Sequence, residues 1–91
     1  MRLQDALYNW LQIKIVADAR PDDHAAKETA SFFADILKED HGLELFEVGI
    51  ADDSTYEVRC VKNGQSESFQ FDREATEQLL ADIMANPKYN E

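Results

Sequence analysis

The chain has 91 residues, 44% of them hydrophobic, and carries nineteen acidic against nine basic side chains for a formal charge of −10. That length holds one domain, residues 1–91, around one core, and the negative charge repels phosphate backbones and anionic headgroups over about a Debye length, which argues against direct binding to nucleic acid or to a membrane surface. A lone cysteine, Cys60, excludes an internal disulfide, and Met1-Arg2-Leu3-Gln4-Asp5 lacks the basic-then-apolar pattern of a signal peptide, so a cytoplasmic setting is expected.

From the amino terminus, Leu3, Ala6, Leu7, Trp10, Leu11 and Ala17, with Lys14 in the same register, recur at helical spacing. Ile13, Ile15 and Val16 widen the apolar surface around most of the circumference, and Ile13-Lys14-Ile15 also fits the alternation of a strand. The segment is expected to be helical to about Asp18 and to end at Arg20-Pro21, because the residue before a proline is pushed out of the helical region. The stretch Trp10 to Val16, interrupted by Gln12 and Lys14, is much too short to cross a bilayer.

Pro21-Asp22-Asp23 opens a second helix, with Asp22 or Asp23 placed to accept from free backbone N–H groups. Its apolar stripe is Ala25, Ala26, Thr29, Phe32, Phe33, Ile36 and Leu37, and His41-Gly42 supplies a glycine stop. The period then changes to two: Phe46, Val48 and Ile50 alternate with Glu47 and Gly49, the pattern of a strand with one buried face. Asp52-Asp53-Ser54 forms a polar turn into a second strand, Thr55 to Lys62, in which Tyr56, Val58 and Cys60 point inward. Asn63-Gly64 is a hairpin signal, and the third strand, Gln65 to Phe71, turns Phe69 and Phe71 inward. Asp72 caps a last helix with Ala75, Leu79, Leu80 and Ile83 on one face, ended by Asn86-Pro87, and residues 87–91 are expected to form a flexible tail. The resulting fold class is α+β, in the order α-α-β-β-β-α, with a three-stranded antiparallel meander and the helices packed on one face.

Chemistry-bearing patterns are sparse. His24 and His41 bracket the second helix about 25 Å apart by helical rise, too far to share a metal. Their acidic neighbours, Asp22 and Asp23 for one and Glu39 and Asp40 for the other, match no metal signature. Cys60 alternates with Val58 and Tyr56 as a buried strand residue would, without an activating base. The carboxylate pairs Asp22-Asp23, Glu39-Asp40 and Asp52-Asp53 stand at helix ends or turns, where capping and turn formation account for them. Gly42, Gly49 and Gly64 are isolated, so there is no phosphate-cradling loop. No catalytic residue, metal ligand or cofactor is assigned.

Two surfaces remain. Glu28, Asp35 and Glu39 form an acidic stripe on the second helix at steps of seven and four. The first helix carries more apolar surface than one small sheet face covers, so it is either sandwiched between other elements or partly an interface. The leading expectation is a non-enzymatic regulatory or adaptor domain. It would meet a protein partner or a second copy through the first helix, with Leu3, Leu7, Trp10, Leu11 and Ile15, or through the exposed sheet edge. The alternatives are an acidic mimic of nucleic acid that inhibits a DNA- or RNA-binding protein, and a small enzyme or metal-binding protein using His24 or His41.

Overall fold

A computed structural model describes residues 1–85. It contains α1 (Leu3–Ala19), α2 (His24–Glu39), β1 (Leu45–Asp52), β2 (Thr55–Lys62), β3 (Gln65–Asp72) and α3 (Arg73–Ala85), the order and class expected from the periodicities. The segment Ile13-Lys14-Ile15 is helical. The expected helix stop at Asn86-Pro87 and the tail at 87–91 lie outside the described residues.

Local chemistry sets the ends of these elements. Asp23 caps α2 by accepting from the Ala26 N–H at 3.0 Å, and it also receives Arg20 Nε at 3.1 Å. The Ala26 N–H, and after it the Arg20 guanidinium, hold the Asp23 carboxyl below its usual range. At the other end Gly42 takes the left-handed conformation (φ 68°), and the Leu43 N–H reaches back to the Leu37 carbonyl at 3.1 Å. The bond spans seven residues, one more than the closing bond of a Schellman motif, and Leu37 and Leu43 belong to the same buried cluster. Asp72 Oδ2 caps α3 by accepting from the Ala75 N–H at 2.8 Å.

The sheet is antiparallel with β2 central. Asn63 (φ 53°) and Gly64 (φ 76°) form the two-residue turn of the β2–β3 hairpin and set Lys62 opposite Gln65. Both central residues at positive φ match the twist that such hairpins require. The β1–β2 turn works differently: Asp52 Oδ1 accepts from the Ser54 N–H at 2.8 Å and from Ser54 Oγ at 3.0 Å, and the register shifts between Ile50 and Asp52.

Register puts Phe46, Val48, Tyr56, Val58, Cys60, Phe69 and Phe71 on one face of the sheet, where they join the core. The opposite face carries Leu45, Glu47, Arg59, Ser66, Ser68 and Gln70, all exposed. Helix α1 lies on the inner face. Trp10, only 7% exposed, meets Phe46 edge-on with ring centroids 4.8 Å apart, and Tyr8 stacks on Phe71 at 5.6 Å. Leu7 and Leu11 are fully buried beside them. The other side of the helix places Val16 and Ala17 against Ala26 of α2, with Leu79, Leu80 and Ile83 of α3 packed around them. Of the two placements open to the first helix, the structure therefore shows the sandwiched one for Ala6, Leu7, Trp10, Leu11, Val16 and Ala17.

Four apolar positions depart from the periodicity that assigned them. On α2 Phe32 is 60% exposed and Ala25 is exposed, as is Thr29 of the same stripe, so the part that reaches the core is Ala26 and Leu37, with Phe33 and Ile36 half-buried. Ile50, at the far end of β1, is 63% exposed although Phe46 and Val48 on the same face are half-buried. On α3 Ala75 is exposed, and the fully buried residue is instead Thr76, whose hydroxyl satisfies itself on the Asp72 carbonyl.

Candidate functional site

The exposure of Ile50 marks a gap in the helical cover. α1 presses on the sheet through Trp10 over Phe46, but beyond Leu11 it turns Val16 and Ala17 toward α2 and α3. Its remaining flank and β1 therefore diverge around an open groove of about 590 Å³. Leu11, Ile15 and Ala19 form the helix side, Val48, Gly49 and Ile50 the strand side, and Tyr56 of β2, opposite Ile50, completes the lining. Lys14 and Asp18 stand on the rim and neutralise each other through an ion pair of 2.7 Å. The walls are thus mainly aliphatic and the rim is polar, the composition of a surface that accepts an apolar side chain.

A second property adds to the groove. β1 is an edge strand: among the described residues no other strand pairs with its outer side. A free edge presents backbone N–H and C=O groups ready for pairing, and proteins usually guard such edges with lysine, proline or a covering element. β1 contains neither lysine nor proline, and what guards it is Glu47 and the register irregularity between Ile50 and Asp52.

Tyr56, which lines the groove, is held from its other end. Its hydroxyl donates to Glu77 Oε2, the same oxygen receives Arg73 Nε at 3.3 Å, and the guanidinium carbon sits 5.4 Å from the centre of the Tyr56 ring. Burial, and then the adjacent Glu77 carboxylate, raise the phenol above its ordinary value, so it remains a neutral donor. Glu77 in turn holds the Arg73 guanidinium charged. The Arg73 N–H donates to the Ser54 carbonyl at 2.9 Å. These bonds tie the first turn of α3 to the β1–β2 end of the sheet and brace one wall of the groove. This triad has no local sequence signal: the spacing of Arg73 and Glu77 marks a helical ion pair, but nothing local brings Tyr56 to them.

The residues weighed for chemistry remain apart. His24 is exposed in the first turn of α2, whereas His41 is half-buried past its other end, with Nε2 enclosed and without a hydrogen-bond partner among the described residues. No group of three His, Cys, Asp or Glu is arranged to hold a metal ion among the described residues. Cys60 is buried opposite Glu67, and burial, followed by that carboxylate, raises its thiol pKa. Of the carboxylate pairs, Asp23 is a cap and Asp52 a turn residue, its carboxyl held below the usual range chiefly by the Ser54 N–H. Glu28, Asp35 and Glu39 are exposed on α2, with Phe32 between them in the same stripe, while Asp52 and Asp53 lie on a separate element.

Of the five residues expected to form a first-helix interface, Leu7, Trp10 and Leu11 are buried within the chain, while Leu3 and Ile15 are half-buried. Only Leu11 and Ile15 among them line the groove. No helix among the described residues is long and apolar enough to cross a membrane. Comparison with protein-family models, with curated proteins and with solved structures gives no significant match.

Proposed function

We propose that this protein is a non-enzymatic protein-interaction domain of the regulatory or adaptor kind, and that it docks its partner along β1. The observation that carries this reading is the unpaired outer edge of β1 running beside an aliphatic groove, with Ile50 63% exposed at its lip. Large apolar side chains isolated on a surface are ordinary, but an apolar side chain, a concavity and free backbone groups on one strand favour recognition of another chain. The buried parts of α1 serve the core, so the interaction moves from that helix to the seam it makes with the sheet.

The test is recovery of partners from the protein's native cell, using the tagged full chain in three forms: unaltered, Ile50→Lys and Phe32→Lys. The second places a charge in the groove, and the third alters an equally exposed residue on another element. A partner retained by the unaltered chain and by Phe32→Lys but lost with Ile50→Lys supports docking along β1. A partner lost only with Phe32→Lys moves the interaction to α2, and a chain that retains nothing while remaining monomeric sinks the reading.

A further inference from the structure

We propose that the occupant of the β1 edge is an extended segment alternating aliphatic and basic residues, belonging to a cationic partner protein. The inference rests on the docking reading above and adds the chemistry of what docks.

A strand added to β1 must share the alternation of the sheet, so its successive side chains fall on opposite faces. On the helix-facing side they lie beside Phe46, Val48 and Ile50 and against Ile15 and Ala19 of α1, an aliphatic environment around the groove of about 590 Å³. Only apolar side chains gain there. On the open side they lie beside Leu45, Glu47 and Gly49. Glu47 is the charged group in the middle of that row, and Glu44, Asp52 and Asp53 flank it along the chain.

Between Lys38 and Arg59 the sequence contains seven acidic residues and neither lysine nor arginine. The one lysine on the groove rim, Lys14, is already engaged by Asp18 at 2.7 Å. Arg59 stands opposite Glu47 across the strand pair and offsets it, while Glu57 on the same face and Asp52 and Asp53 at the turn keep a net negative field along the edge beside its free backbone groups. Lysine or arginine at alternate positions of the incoming segment answers that field, and valine, isoleucine or leucine at the intervening positions answers the groove. A second copy of this chain fits less well. It brings another formal −10 and an edge strand of the same sign, and like charges across adjoining strands are destabilising.

The experiment titrates the isotopically labelled full chain with three capped seven-residue peptides, alternating valine with lysine, with serine or with glutamate. Binding is read from the backbone amide shifts of β1. The expected result is valine–lysine binding on the order of tenfold tighter than valine–serine at low salt, a ratio that collapses at high salt, and no binding of valine–glutamate. N-methylation of alternate residues on the pairing edge of the valine–lysine peptide abolishes binding, because the charge remains while the main-chain donors are lost. Ile50→Lys weakens binding by a similar factor. Valine–serine binding as tight as valine–lysine overturns the basic-partner inference and leaves the docking edge standing. Binding that ignores both N-methylation and Ile50→Lys, or no binding by any peptide, overturns the edge itself. A β1-paired dimer in sedimentation gives the edge to a second copy and overturns the inference as well.

Discussion

Replacing Leu7 and Ile50 separately by alanine removes similar aliphatic bulk from opposite environments. Leu7 is fully buried in α1 against the sheet, so its loss forfeits transfer energy and leaves a cavity, about 3 kcal/mol at the lower end of such substitutions. Ile50 keeps 63% of its surface in water, so only about a third of its burial energy is at stake and no cavity closes over the gap, leaving a cost of about 1 kcal/mol. A domain of this size has a total stability of about 5–14 kcal/mol, so both variants should fold. Urea denaturation followed by the emission of Trp10, 7% exposed and set edge-on against Phe46, reads the difference directly. With an m-value of about 1.5 kcal/mol per molar, the midpoint falls by about 2 M for Leu7→Ala and by about 0.7 M for Ile50→Ala. Equal shifts would mean that Ile50 is covered and that the groove beside it does not exist.

Three further outcomes follow from individual contacts. Gly64→Ala should lower stability by about 1 kcal/mol, because its backbone is left-handed with nothing within 4 Å to clash, whereas Gly49→Ala, equally free of neighbours and without positive φ, should be neutral or stabilising; chemical denaturation of the pair checks this. Asp23 has its pKa lowered by folding, so the stability it contributes is complete above its ordinary 3.8 and is lost as pH falls through the lower native value; the Tm gap between the protein and Asp23→Ala should therefore be full at neutral pH and close in acid. Cys60, buried and with its pKa raised, should react with a thiol reagent at a rate limited by opening of the fold, and rapidly in urea; fast reaction of the native protein would contradict its placement.

The order of elements was legible because the hydrophobic period changes from helical to alternating and back, and because the signals between them are chemical. Asp23 and Asp72 cap the helices they precede, and Asn63-Gly64 takes the backbone conformation that a two-residue hairpin demands. Extent of cover was not legible. Alternation assigns Ile50 to the same face as Phe46 and Val48, but whether a helix reaches that far along the strand depends on where α1 turns its remaining apolar side chains. Periodicity likewise places Phe32 at the margin of the apolar stripe of α2, yet that helix packs chiefly on α1, which covers Ala26 and Leu37 and leaves Phe32 in water. The groove arises from these limits of cover rather than from a motif, and its brace was hidden because Tyr56 and Glu77 are 21 residues apart.

The position of α1 also bears on the order of events during synthesis. The helix that organises the core precedes the strands it rests on, so its apolar residues have no sheet to cover them until β3 has been made. At about 5–20 residues per second, the roughly 50 residues between the end of α1 and the end of β3 occupy the ribosome for about 3–10 s. Through that interval Leu7, Trp10 and Leu11 can be shielded only by α2 or by a chaperone, whereas the β2–β3 hairpin closes locally within microseconds of its completion. The central helix is thus the part of the nascent chain exposed longest, and substitutions that delay sheet formation should raise aggregation before they measurably alter the finished fold.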